Sequence, residues 1–249
     1  MKIGILAAGV TPDALLTQYG TYAQMIATLL QQANSASSPQ KPPFEFAMFD
    51  VRDGMFPASC EECDAWVITG SRANVYENLP WMQQLKTLII AIDERRQPLV
   101  GICFGHQIIA EALGGVVEAY QGGWGVGVHH YQRVANDAAI PANITEFAIC
   151  AVHQDQVVRR PLRSRVFARS DFCENAGLLY DDHILTLQSH PEFTTGFVVD
   201  LIDLLDGATF PKDIASVGRE SALNNPIDAT EVCHWLADFL QQAHVNKPL

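Results

Sequence analysis

The sequence has little positive charge. Its 249 residues include 16 Lys and Arg against 28 Asp and Glu, which gives a formal charge of −12 and an isoelectric point near 5.0. Binding to a nucleic-acid backbone or to an anionic lipid surface needs a basic patch, so both are poor candidates for the partner. Long apolar runs are missing too: the stretch near Leu88–Ile92 is far shorter than the roughly 18 residues of a membrane span. We therefore expect neither nucleic acid nor membrane as a partner.

Cysteine is also scarce, with six residues in the chain. That number is too small for a disulfide scaffold at this length. The N-terminal segment has one Lys and a short apolar run that meets Pro12 and Asp13, which is typical of a first β-strand and not of a secretion signal. We therefore predict reduced thiols and a cytoplasmic location. Cys60 and Cys63 have metal-like spacing, but no second pair accompanies them, so they are interpreted as packing residues.

Apolar periodicity divides the chain into strands and helices, and in the first half the two alternate as in a mostly parallel sheet covered on both faces. The predicted fold is a three-layer α/β/α domain over residues 1–249, with a core of about 2–205 and a C-terminal helical extension of about 206–249. Residues 208–229 show no legible pattern. The predicted helices are Ala14–Gln32, Trp81–Arg96, Gly105–Leu113, Phe193–Leu205 and Glu231–Gln242, with a loop at Asn34–Pro43. The predicted strands are Lys2–Ala8, Phe44–Phe49, Ala65–Thr69, Leu99–Ile102, Val116–Tyr120, Val128–Val134, Phe147–Val152, Arg165–Ala168, Gly177–Tyr180 and Ile184–Gln188.

One cysteine lies in a motif that supports nucleophilic chemistry. Cys103 directly follows the predicted strand Leu99–Ile102 and opens a predicted helix, between Gly101 and Gly105. The spacing Gly-x-Cys-x-Gly is that of a nucleophile elbow, whose turn is too tight for larger residues beside the nucleophile. Such a turn lifts the side chain above the carboxyl edge of the sheet, where the free N–H groups of the helix start stabilise a thiolate and an oxyanion. Cys103 is therefore the predicted nucleophile.

A base and its orienting group are predicted at the end of a later strand. His190 and Glu192 follow an apolar strand, and Pro191 between them favours an extended conformation at His190. Residues two apart in an extended chain point to the same side, so the Glu192 carboxylate can reach the imidazole and fix its tautomer. If this strand lies beside the one that ends at Cys103, a Cys-His-Glu triad results. His153, in a predicted strand-end loop, is a competing histidine that could line the cleft.

Together, Gly101–Gln107 and Ser189–Phe193 resemble the class I glutamine amidotransferase family in their residues, their order and their separation of roughly ninety residues. The likeness covers about residues 2–205 and is nearest to stand-alone relatives of the amidotransferase domain of GMP synthase. It implies a flavodoxin-like fold.

The resemblance implies a role for each residue of the candidate site. Cys103 attacks the side-chain amide carbon of glutamine and forms a γ-glutamyl thioester. His190 gives a proton to the departing ammonia and then activates water, while Glu192 holds His190. The implied oxyanion hole consists of Gly70, Ser71 and Phe104, and the implied contacts to the amino-acid end of the substrate come from Gln107, His153 and Asp155.

The expected reaction is release of ammonia and then glutamate from glutamine, which needs no cofactor and no metal. Two alternatives use the same triad, since it acts only on the amide carbon: a γ-glutamyl peptide or amine hydrolase, and an amidotransferase subunit gated by a separate synthetase or acceptor subunit. A purely regulatory domain has no use for the triad. One departure from the family is Arg72, where relatives often carry Gly-Gly-Pro at this loop. Arg72 is interpreted either as a contact to a substrate carboxylate or, by slight preference, as a solvated loop charge.

Overall fold

The computed structural model describes residues 1–37, 42–134 and 139–245. Strands and helices alternate through the first half, and the second half is richer in strands before three closing helices. The strands are β1 (Lys2–Ala7), β2 (Glu45–Asp50), β3 (Ala65–Ile68), β4 (Leu99–Ile102), β5 (Val116–Ala119), β6 (Gly125–Arg133), β7 (Glu146–His153), β8 (Asp155–Arg159), β9 (Ser164–Arg169), β10 (Gly177–Tyr180) and β11 (Ile184–Leu187). The helices are α1 (Asp13–Tyr19), α2 (Tyr22–Ser37), α3 (Pro80–Glu94), α4 (Phe104–Ala112), α5 (Thr195–Leu205), α6 (Lys212–Asn224) and α7 (Ala229–Val245).

The central sheet has nine strands in the order β2-β1-β3-β4-β11-β10-β9-β6-β7. The five strands from β2 to β11 run parallel, and the four beyond them are antiparallel. Strands β3, β4 and β11 are buried along their whole length, which explains their continuous apolar sequences. The prediction of a mostly parallel sheet in an α/β fold is confirmed. The four antiparallel strands were predicted as strands, but the sequence pattern did not assign their orientation.

Helices cover both faces of this sheet. Leu30 of α2 and Leu240 of α7 belong to the apolar layer on one face, and Leu85 of α3 and Ile108 of α4 belong to the layer on the other. Helices α5 and α6 form a third apolar cluster with β6 and β7. Helix α4 and the residue that precedes it follow β4, the fourth of the five parallel strands, and α4 packs against β3, β4 and β11. Among the helices of the described ranges, none has the length and hydropathy that crossing a membrane requires.

The prediction of one continuous helix over Ala14–Gln32 is wrong. The chain breaks at Gly20, whose φ is 75°, and α2 starts anew after Thr21. Thr21 Oγ1 accepts a hydrogen bond from Gln24 N at 3.1 Å, and Gln24 Oε1 accepts one from Thr21 N at 2.8 Å. This reciprocal capping box satisfies two N–H groups at the start of the second helix. Gly20 and the Thr21–Gln24 capping box were visible in the sequence, but the apolar periodicity continues through them and suggested one helix.

Other boundaries also differ from the prediction, such as the start of β6 at Gly125, three residues before the predicted Val128. Helix α2 extends to Ser37, so the first part of the loop predicted over Asn34–Pro43 is helical; residues 38–41 lie outside the described ranges. Residues from Asp155 onward form β8, where the sequence indicated only a strand-end loop. Strand β8 pairs with β5 in a separate two-stranded sheet and is not part of the main sheet.

The segment 208–229, which showed no pattern, contains helix α6. The buried residues of this helix are all small: Ala215, Gly218 and Ala222. A Cβ on Gly127 of β6 would lie 2.6 Å from the carbonyl oxygen of Gly218, so helix and strand approach backbone to backbone. A helix that packs through small residues lacks the stripe of large apolar side chains that periodicity detects.

Candidate active site

Strand β4 ends in a tight turn that places Cys103 at the N-terminus of α4. Cys103 has φ 52° and ψ −103°, a backbone region that residues other than glycine rarely adopt. The neighbouring backbone holds this conformation: Cys103 N donates to Leu187 O at 2.8 Å, and Gln107 N donates to Cys103 O at 3.0 Å. A Cβ on Gly105 would lie 2.4 Å from the carbonyl oxygen of Ile68, so the turn needs glycine there. The elbow geometry predicted from the sequence is present.

Strand β11 lies beside β4 and ends at the same edge of the sheet. Its next residue, Gln188, donates from Nε2 to Cys103 Sγ at 3.6 Å. The side-chain oxygen of Gln188 accepts a hydrogen bond from Gln107 Nε2 at 3.1 Å. Gln188 thus connects the nucleophile to the first turn of α4. Sequence reasoning did not identify it, although its position directly before the Ser189–His190 segment was an available signal.

A short turn brings His190 and Glu192 together. His190 N donates to Cys150 O at 2.8 Å, and Phe193 N donates to His190 O at 3.3 Å, so residues 190–193 turn back instead of continuing extended. His190 Nδ1 and Glu192 Oε1 lie 2.8 Å apart, and both side chains are buried. The predicted contact is therefore present: His190 itself forms an antiparallel bridge with Cys150, and the turn at residues 191–192 then brings Glu192 to the ring. The turn also brings the Phe193 ring against the imidazole.

The electrostatic setting separates His190 from the competing histidine. Burial lowers the pKa of His190, but the Glu192 carboxylate and the Cys103 side chain outweigh it and raise that pKa to about 10. Burial lowers the pKa of His153 to about 3, so its ring is neutral in the same cleft. Because Nδ1 of His190 faces Glu192, its Nε2 is the ring nitrogen left for Cys103, whose side chain lies close enough to act on the pKa of this ring. The raised pKa keeps the His190 ring protonated beside Cys103.

The loop after β3 closes over this pair. A Cβ on Gly70 would lie 2.7 Å from His190 Cε1 and 3.7 Å from Cys103 Cβ, so the backbone of this loop touches the site directly. Thr69 fixes the loop, since its hydroxyl donates to Gly70 O at 2.9 Å. Phe104 is the first residue of α4, and N–H groups in the first helical turn have no partner within the helix. Both backbone segments therefore lie next to Cys103.

The residues expected to bind the amino-acid end of a substrate meet around Asp155. Gln107 Nε2 donates to Asp155 O at 2.9 Å, and His153 Nδ1 lies 3.2 Å from the same oxygen. The Tyr76 hydroxyl donates to Asp155 Oδ1 at 3.1 Å. Burial raises the pKa of Asp155, while the Tyr76 hydrogen bond opposes that rise. Because the hydrogen bonds of Gln107 within the described structure use Nε2, its side-chain oxygen remains as an acceptor.

A cleft of about 310 Å³ joins these groups. Its volume is of the order found for small-molecule sites. Six of the predicted site residues line it. The other three, Gly70, Phe104 and Glu192, do not line the cleft but lie next to residues that do. The predicted residues in the lining are Ser71, Cys103, Gln107, His153, Asp155 and His190.

One side of the cleft was not predicted. We call it the apolar wall, and it consists of Trp124, Leu201, Leu205 and Phe210. Trp124 and Phe210 meet edge to face with ring centroids 5.1 Å apart. These residues come from the turn before β6, from α5 and from the segment that follows α5, none of which carries a catalytic motif. Tertiary packing alone brings them to the cleft.

Comparison with known proteins agrees with this geometry. A family model described as glutamine amidotransferase class-I matches residues 33–197. Gamma-glutamyl peptidase 4 of Arabidopsis thaliana is 28% identical over 88% of this chain and 87% of its own length. A glutamine-hydrolyzing GMP synthase of Pyrobaculum aerophilum is 29% identical over 70% of this chain and 31% of its own length. The crystal structure of a glutamine amidotransferase from Thermotoga maritima covers 98% of both chains with a TM-score of 0.73 at 21% identity, which shows a common fold.

Proposed function

The chain belongs to the glutamine amidotransferase class-I family, and from that premise we propose that it hydrolyses γ-glutamyl amide bonds, in glutamine and in larger γ-glutamyl amides, through Cys103. The family and its γ-glutamyl peptidase relatives make the chain an amide-hydrolysing enzyme. One observation carries the assignment of residues. Cys103, at a strained helix N-terminus, lies next to a histidine whose Nδ1 faces a buried carboxylate.

In the first half of the reaction the Cys103 thiolate attacks the amide carbon, and a C–S bond forms. The negative charge that develops on the carbonyl oxygen is stabilised by N–H groups of Phe104 and of the Gly70–Ser71 loop. The imidazolium of His190 gives its Nε2 proton to the amide nitrogen, and the C–N bond breaks. Ammonia or an amine leaves, and a γ-glutamyl thioester remains on Cys103.

In the second half the neutral imidazole of His190 takes a proton from water, and the hydroxide attacks the thioester carbon. The C–S bond breaks, glutamate is released, and the thiolate–imidazolium pair returns. Glu192 acts throughout by holding the ring with Nε2 toward Cys103 and by stabilising the imidazolium. One oxygen of Glu192 has no hydrogen-bond partner among the described residues, so the imidazolium is the main compensation for this buried charge.

Asp155 and the residues that hydrogen-bond to it form the end of the cleft that binds the glutamyl part of the substrate. The Gln107 oxygen and the Asp155 carboxylate are acceptors that suit the α-ammonium group of a γ-glutamyl substrate. The length of the γ-glutamyl chain then places its amide carbon at Cys103. We assign His153 to the wall of this end of the cleft, as a neutral ring that packs edge to face with Phe172.

A second candidate is an ammonia-donating subunit that works with a separate synthetase chain. It is favoured by the likeness to the GMP synthase of Pyrobaculum aerophilum, in which the matching segment makes up 31% of a longer chain. In that case glutamine turnover by this chain alone is slow and rises when the synthetase is added. For either candidate we propose a cytoplasmic location, because all six cysteines are buried free thiols.

The experiment is the release of ammonia and glutamate from L-glutamine by the purified chain, together with amine release from a γ-glutamyl peptide. We expect release by the wild type, no release by Cys103→Ala, and unchanged release by Cys60→Ala, a buried thiol in a different apolar layer. Turnover that survives in Cys103→Ala would overturn the assignment of the nucleophile. Absence of turnover of both substrates by the folded wild type would overturn the hydrolase proposal in favour of the gated subunit.

A further inference from the structure

The apolar wall is continuous with the proton donor. The Phe193 ring stacks on His190, with centroids 4.0 Å apart and planes 3° from parallel, and Phe197 packs on Phe193 at 4.4 Å. Leu201 and Leu205 follow Phe197 along α5 at intervals of four residues, which places them on one face of the helix. Apolar surface therefore extends from the imidazole along α5 into the cleft.

This surface faces the leaving group. The leaving nitrogen takes its proton from His190, so whatever that nitrogen carries lies on the His190 side of the amide bond. The other end of the cleft is polar and holds Asp155, Gln107 and Tyr76, the groups suited to the glutamyl end. Ammonia is small and polar, so it gains nothing from contact with the two aromatic and two leucine side chains of the apolar wall. The wall fits a leaving amine with an apolar substituent.

A cation stands on the same side of the cleft. Arg72 follows the Gly70–Ser71 loop, is exposed, and lines the cleft, and within the described part of the chain its guanidinium forms no ion pair. A Cβ on Gly70, two residues before Arg72, would lie only 2.7 Å from His190 Cε1, and the charge of Arg72 acts on Tyr22, which packs on Phe193 at 5.3 Å. Arg72 therefore lies toward the proton donor. A free guanidinium next to the leaving group suits a carboxylate.

We propose that the leaving amine is an α-amino acid with a large apolar side chain, so that the preferred substrates are γ-glutamyl dipeptides with an apolar second residue. The apolar wall takes that side chain, and Arg72 takes the free carboxylate. The bond changes are those of the hydrolysis above: the amide C–N bond breaks, the amino group leaves with a proton from His190, and water later cleaves the thioester. This inference rests on the proposed function, because it assumes that Cys103 attacks a γ-glutamyl amide.

The test compares kcat/KM for γ-glutamyl-phenylalanine, γ-glutamyl-glycine and L-glutamine. Burying the apolar side chain predicts about tenfold or greater preference for the phenylalanine peptide over the glycine peptide. Leu205→Ala is expected to lower kcat/KM for the phenylalanine peptide about tenfold while changing that for glutamine less than about twofold. Leu204→Ala is the matched control, since Leu204 is exposed on the same helix and does not line the cleft.

Arg72→Gln isolates the second contact. We expect about a tenfold loss of kcat/KM for γ-glutamyl-phenylalanine and little change for γ-glutamyl-phenethylamide, which has the ring but no carboxylate. Arg169→Gln, an exposed arginine at the end of β9, controls for the change in net charge.

The outcomes distinguish this inference from the proposed function. Turnover of glutamine without preference for the phenylalanine peptide over the glycine peptide would overturn the inference and leave the hydrolase intact. An equal loss on both phenylalanine substrates in Arg72→Gln would remove the carboxylate contact. Failure of the wild type on every substrate would overturn the proposed function, and the inference with it.

Discussion

The ring of Phe193 lies face to face with the imidazole of His190, 4.0 Å between centroids and 3° from parallel. The same four-residue turn that joins them also presents Glu192 to the edge of the imidazole. The Phe193 ring therefore packs on the face of the His190 imidazole, and the Glu192 carboxylate contacts its edge. Because these two contacts fix the position of the ring, His190 needs little reorganisation between the two halves of the reaction.

Replacing Phe193 by Leu is expected to lower kcat about tenfold with little change in KM, because a loosened imidazole spends less time aligned with the thiolate. The matched control is Phe197→Leu, which perturbs the same aromatic cluster without touching His190. Both variants should lose about 0.5–1.5 kcal/mol of stability from the lost ring pair. Equal losses of kcat in the two variants would mean that Phe193 acts only through packing.

Replacing Glu192 by Gln is expected to lower turnover about a hundredfold or more and to leave the fold intact. The carboxylate raises the pKa of His190 to about 10, so its removal lowers that pKa and the imidazolium is lost at a lower pH. The alkaline limb of the pH–rate profile should therefore move to lower pH, and NMR titration of the His190 ring should show the same shift. Unchanged turnover would remove Glu192 from the mechanism.

Replacing Gly70 by Ala is expected to reduce kcat about tenfold or more, since the new methyl group would lie 2.7 Å from His190 Cε1 and displace the ring. Gly196→Ala is the control: its nearest neighbour would be 3.7 Å away, and alanine favours the helix α5 in which it lies. Thermal unfolding of both variants, alongside the rates, checks that the loss in Gly70→Ala is one of activity. Full activity in that variant would contradict the close approach of the loop to His190.

Replacing Tyr76 by Phe should raise KM for glutamine about threefold to tenfold and spare kcat, because one hydrogen bond to the Asp155 carboxylate is lost. That hydrogen bond opposes the rise in the pKa of Asp155, so in its absence the pKa rises further. The acidic limb of kcat/KM should then move to higher pH. A loss confined to kcat would place Tyr76 in the chemical step instead.

The elbow and the histidine–carboxylate pair were predictable because each depends on spacing within a few residues. Gly105 lies two residues after Cys103, and Glu192 lies two residues after His190. Both spacings can be identified without knowing how the strands of the sheet are arranged. The parallel strands followed for the same reason, since burial on both faces makes them continuously apolar.

The remaining features depend on tertiary contacts that leave no local trace. Gln188 becomes a partner of Cys103 only because β11 pairs with β4. Helix α6 packs through Ala215, Gly218 and Ala222, whose small side chains give no apolar stripe. Trp124 and Phe210, far apart in the chain, meet because α5 and α6 pack against β6.

The most direct test of the central claim is detection of the γ-glutamyl thioester. Wild-type enzyme is mixed with γ-glutamyl-phenylalanine, quenched in acid within one turnover, digested, and analysed by mass spectrometry. We expect the mass of one γ-glutamyl group on the peptide that contains Cys103, its discharge on incubation at neutral pH before quenching, and no adduct in Cys103→Ala. Turnover of this substrate without an adduct on Cys103, or with the adduct on another residue, would contradict the nucleophile assignment.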